Sequence, residues 1–150
     1  MAKMKIGFDV DGDYAWNNLL YRNLIKDLVA NAAELEVYLI TQNTDATYIT
    51  DVQNQLGLDV NHVFMVTSNS AVQGLLTQYN INIYLCTDNE LCKLINDNIP
   101  FTNTNNIISG CQAILVNSIP DIYKSQPKYI TFLQFWINEY NKTQVSEENC

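Results

Sequence analysis

Basic residues are scarce in this 150-residue chain: eight Lys and Arg stand against 16 Asp and Glu, and none falls between Asp27 and Cys92. A protein that tracks a nucleic-acid backbone needs a positive face, so this balance argues against nucleic-acid binding. It also means that any anionic substrate would need help from a cation. Histidine is nearly absent, with His62 alone, and the four cysteines Cys86, Cys92, Cys111 and Cys150 show no C-x-x-C spacing. Neither a zinc site nor a disulfide frame is indicated, which fits a reducing cytoplasm. No apolar run approaches the roughly 18 residues that span a bilayer, and no secretory leader pattern precedes the first strand. The 47% hydrophobic content excludes a disordered chain and supports one domain over residues 1–141 with a polar tail at 142–150.

The apolar run Lys5-Ile6-Gly7-Phe8 ends abruptly in Asp9-Val10-Asp11-Gly12-Asp13. On an extended backbone residues two apart project to the same side, so Asp9 and Asp11 form a pair of like charges. Such a pair is costly unless a cation or a shared proton relieves it. A calcium loop is excluded, because Tyr14 stands where the turn needs Gly and Leu20 where it needs a bidentate Glu. The plain alternative is a solvated acidic turn, and the rest of the chain decides between them.

Residues 15–31 carry apolar side chains at three- and four-residue intervals, the stripe of an amphipathic helix. Residues 36–41 (EVYLIT) predict a buried strand that delivers Thr41, Gln42 and Asn43 to its C-terminal end. Residues 45–56 predict a helix closed by Gly57, residues 63–66 a short strand, and residues 70–79 a helix capped by Ser68 or Asn69. Residues 82–86 predict a fourth strand running into Thr87-Asp88, residues 90–98 a helix, residues 102–106 (TNTNN) a loop, and residues 113–116 a fifth strand. The apolar segment 129–140 predicts a buried helix that would also serve as a surface for homo-oligomer formation. Strands alternating with helices imply a doubly wound parallel sheet of about five strands in a three-layer α/β/α sandwich, Rossmann-like in layout. Ligands bind such sheets beyond the carboxyl ends of the strands, where Asp9, Asp11, Thr41 and Asp88 are expected to meet.

With those residues in view, the chain resembles the haloacid dehalogenase (HAD) superfamily over about residues 4–118. The resemblance rests on Asp9-Val10-Asp11-Gly12 as the D-x-D-G motif, on Leu39-Ile40-Thr41 as the strand closed by a hydroxyl, and on Tyr84-Leu85-Cys86-Thr87-Asp88 as the later acidic motif. It implies a Mg²⁺-dependent phosphatase in which Asp9 is the nucleophile and Asp11 the general acid and base. Thr41, with Gln42 and Asn43, would hold the phosphoryl oxygens, and the carboxylates of Asp9 and Asp88 with the backbone carbonyl of Asp11 would hold the Mg²⁺. The short connections leave no room for a cap domain, so the site would admit phosphorylated small molecules or phosphorylated macromolecules.

The chain departs from the family in its third motif, a Lys or Arg near the start of the helix before the fourth strand. Residues 67–73 (TSNSAVQ) contain no base there, leaving Lys93, Lys124 or Lys128 to reach in from elsewhere. Two further readings follow from that gap: a catalytically inactive HAD-like binding or interaction protein, and a metal-dependent nuclease, against which the missing basic groove argues.

Overall fold

The computed structural model describes residues 3–11, 19–105 and 107–115. The expected C-terminal helix, the tail, Lys124 and Lys128 lie outside the described residues, as does the start of the first helix. The elements are β1 (Met4–Phe8), α1 (Leu19–Ala30), β2 (Leu35–Thr41), α2 (Ala46–Leu56), β3 (Val63–Met65), α3 (Asn69–Gln78), β4 (Ile83–Cys86), α4 (Asn89–Asn98), β5 (Thr102–Thr104), β6 (Ile107–Ser109) and β7 (Gln112–Leu115). A five-stranded sheet runs in the order β3-β2-β1-β4-β7, every pairing parallel. The expected doubly wound α/β sandwich is what the chain forms.

Strand alternation divides the core in two. Ile6, Phe8, Val37, Leu39, Ile83 and Leu85 turn toward Leu24, Ile25 and Leu28 of α1 and Ile49 and Val52 of α2. Tyr38, Ile40, Tyr84, Cys86 and Ala113 turn the other way, toward Val72 and Leu76 of α3 and Leu91 and Ile95 of α4. Both faces of the sheet are therefore dry, which explains why its strands read as unbroken apolar runs. Each fully buried Leu, Ile or Phe contributes about 1.5–3 kcal/mol. No helix among the described residues is long and apolar enough to cross a membrane.

The helix boundaries follow local chemistry. Asp45 accepts hydrogen bonds from Thr47 and Tyr48 N–H at the start of α2, and Gly57 closes it in the left-handed region at φ 69°. Ser68, rather than Asn69, caps α3 by accepting from Ala71 N–H at 3.1 Å. That choice leaves the Asn69 side chain for other work.

Within the stretch expected as loop, residues 102–104 instead form one strand of a two-stranded antiparallel pair in which Thr102 faces Ser109 and Thr104 faces Ile107. The β-branched Thr102, Thr104, Ile107 and Ile108 favour extended backbone, and Asn105 turns the chain at φ 53°. After it, Gly110 takes φ 78°, and Cys111 N–H donates to Ile99 O at 2.7 Å. A Cβ on Gly110 would lie 2.0 Å from Pro100 O. Gly110→Ala is accordingly expected to cost at least about 2 kcal/mol from left-handed strain and overlap together. In a domain of this size that is a fall of roughly 4 °C or more in Tm, read by thermal unfolding; an unchanged Tm would contradict the close approach.

Candidate functional site

The strand order reverses between β1 and β4, and the two first-strand acids sit at that switch point. Asp9 N–H donates to Leu85 O at 3.1 Å, extending the ladder one residue past β1. The Asp9 carboxylate is fully buried and bridges two loops: one oxygen accepts from Asp11 N–H at 3.2 Å, the other from Thr87 N–H at 3.0 Å. Burial pushes its pKa up to about 7 and the neighbouring Asp11 charge pushes the same way, while the N–H bonds from Thr87 and Asp11 oppose both.

Two buried tyrosines hold this rim in place. Tyr21 on α1 donates its hydroxyl to Asp9 O at 2.6 Å, and Tyr84 on β4 donates to Ile40 O at 2.7 Å. The Tyr84 ring reaches across β1 because Gly7 has no side chain: a Cβ there would stand 2.9 Å from the ring. Gly7 thus lets Tyr84 fix the backbone just before Thr41. Neither tyrosine was legible as a site residue, since a Tyr inside an apolar run reads as core.

Asp11 is half-buried, and its carboxylate is the convergence point of the second strand's end. Oδ1 accepts from the Thr41 hydroxyl, from Gln42 N–H at 3.2 Å and from Asn43 N–H at 3.2 Å. Oδ2 lies 3.2 Å from the same Gln42 N–H, and Asn43 N–H is shared with Thr41 Oγ1 at 3.0 Å. Thr41 is itself fully buried. A hydroxyl and two backbone amides aimed at one point form an anion nest.

Beside it opens a cleft of about 370 Å³ lined by Asp11, Gln42, Asn43, Asn69 and Asp88. The expected residues Asp11, Gln42, Asn43 and Asp88 are therefore brought to one place, with Thr41 and Asp9 buried beneath. Asn69 is the member that sequence reasoning missed. It stands on the first turn of α3, within the stretch 67–73 that lacks a base, and its Oδ1 accepts from Gln42 Nε2 at 2.7 Å. A neutral amide offers hydrogen bonds but no balancing charge. Lys93 is exposed on α4 and is not among the cleft's lining residues.

The oxygen donors have the right chemistry for Mg²⁺, but their arrangement does not fit it. Among the described residues no three His, Cys, Asp or Glu side chains group so as to hold a metal ion. Asp88 uses its carboxylate to cap α4, accepting from Glu90 N–H at 3.3 Å and Leu91 N–H at 3.4 Å. Both Asp9 oxygens already accept N–H groups, so of the expected set, two carboxylates and the Asp11 backbone carbonyl, both carboxylates are engaged. Calorimetric titration with Mg²⁺ should therefore show no site tighter than about 10⁻³ M, since affinity falls with the number of free ligands. A micromolar isotherm would contradict the disposition of Asp88.

Other titratable groups have structural work. His62 stacks on Tyr38 at 4.4 Å between ring centres, with Nδ1 3.2 Å from Val37 O. Burial pushes the Cys86 thiol up, and its Sγ donates to Asp88 O at 3.1 Å, so it is no nucleophile.

No family model and no curated protein matches the chain. Among solved structures it is similar to a crystal structure of RSP in complex with beta-NADH, at 10% identity and a TM-score of 0.38, over 89% of this chain and 64% of that one. A likeness at that level says nothing of what this chain binds.

Proposed function

We propose that this chain is a capless HAD-like phosphohydrolase of low turnover, acting on a phosphorylated small molecule or macromolecule. The observation that supports it is the meeting of Asp9 and Asp11 from β1, Thr41-Gln42-Asn43 from β2 and Asp88 from β4 beside one cleft. In this reading the Asp9 carboxylate attacks phosphorus, and the Thr41 hydroxyl with the Gln42 and Asn43 amides holds the phosphoryl oxygens. Asp11 hands to the leaving oxygen the proton that Asp9 sheds before it attacks, then as carboxylate takes one from the water that cleaves the aspartyl-phosphate. No step is assigned to Mg²⁺, because the acids do not form a set that would hold it.

Turnover is expected to be slow for a physical reason. One missing contact of the oxyanion-donor kind costs about 2.7–4 kcal/mol, or two to three orders of magnitude in rate, and Asn69 supplies no cation. The test is release of p-nitrophenol from its phosphate ester by the purified chain. Release that survives replacement of Asp9 would remove this reading.

A second reading, a HAD-like binding protein without catalysis, is favoured by a specific observation: the nest is filled by Asp11 and the nucleophile beneath it is fully buried. It predicts that no phosphoryl group is ever found on Asp9, whatever the donor.

A further inference from the structure

We propose that Asp11 is an internal occupant of the oxyanion nest, so that the described arrangement is a self-closed site which an incoming tetrahedral oxyanion opens by displacing the Asp11 side chain. The inference rests on the reading of residues 41–43 as phosphoryl-binding and adds how that site is regulated.

Three donors, the Thr41 hydroxyl and the Gln42 and Asn43 amides, spend their hydrogen bonds on one carboxylate. A carboxylate offers two oxygens to donors in the way that two oxygens of a phosphoryl group would, so the same donors cannot serve both at once. Asp11 also lines the cleft, which gives the displaced side chain somewhere to go. Asp9 lies beneath, fully buried, so a ligand reaches it only from the opened form. Displacement leaves the Asp11 carboxyl beside the ligand, where the proposed acid is needed. Binding an oxyanion and arming the site are then one event. The closed form lowers apparent affinity by the fraction of molecules that are open, and no cation among the described lining residues offsets that loss.

The test titrates inorganic phosphate into ¹⁵N-labelled wild type, Asp11→Ala and Asp11→Asn and follows the amide resonances. Asp11→Ala empties the nest and should bind phosphate about ten-fold more tightly than wild type or better, with the largest shifts at Gln42 and Asn43. Adding Thr41→Val should remove most of that gain. Asp11→Asn keeps the side-chain volume and one acceptor oxygen; if the alanine variant fails to fold, a smaller gain in the asparagine variant carries the same reading. No gain in any folded variant, or shifts centred away from residues 42 and 43, would overturn the proposal. Tighter phosphate binding without phosphoryl transfer to Asp9 leaves the self-closed nest standing and removes catalysis. Transfer to Asp9 without tighter binding removes the self-closed nest alone.

Discussion

Asp9→Asn is expected to lower phosphate-ester turnover at least about 1,000-fold, since removing a covalent nucleophile takes away the step on which the others depend. The substitution keeps shape and one acceptor oxygen, but the amide nitrogen must face Asp11 N–H or Thr87 N–H, one of which loses its acceptor. An unpaired buried N–H costs about 1–3 kcal/mol, so the variant should still fold. Intact secondary structure with activity lost is the expected pair of results.

The same buried acid makes stability depend on pH. In the unfolded chain Asp9 ionises near its ordinary 3.8, and in the folded chain near 7. Below the first value both states hold the proton, between the two only the folded state does, and above the second neither does. The unfolded state therefore binds fewer protons across the window, and stability falls as pH rises through it. From pH 5 to pH 8 this one group should remove roughly 2–3 kcal/mol. Urea unfolding of wild type and Asp9→Asn at both pH values isolates it. Wild type should lose about that much more than the variant. Equal losses would mean that Asp9 is already ionised at pH 5, and that the burial described is wrong.

Much of the fold was legible because its signals are local. The apolar runs at 5–8, 36–41 and 82–86 read as strands with both faces covered, and Gly57 and Ser68, the latter one of two expected caps, marked helix ends by backbone angle or hydrogen bond. The β5–β6 hairpin was not legible. Its residues at 102–104 are exposed, so no apolar alternation marks them, and only their pairing with residues 107–109 makes them strands. At the site, the carboxylates and Thr41 stood out as polar groups ending apolar strands. Asn69 did not, because a neutral amide on a helix's first turn looks like a capping residue. Asp88 carried both meanings: an acid after a strand and the cap of the next helix, and its hydrogen bonds follow the second. The filling of the nest by Asp11 lay beyond any pattern, since it joins residues some thirty positions apart through distances alone.

The account turns on whether Asp9 accepts a phosphoryl group. Incubating wild type with p-nitrophenyl phosphate, reducing with borohydride and mapping peptides by mass measures this directly, because an aspartyl-phosphate is reduced to homoserine. The account predicts homoserine at position 9, absent when substrate is omitted. Release of p-nitrophenol with Asp9 unmodified, or no release and no modification at any pH from 5 to 8, would contradict it.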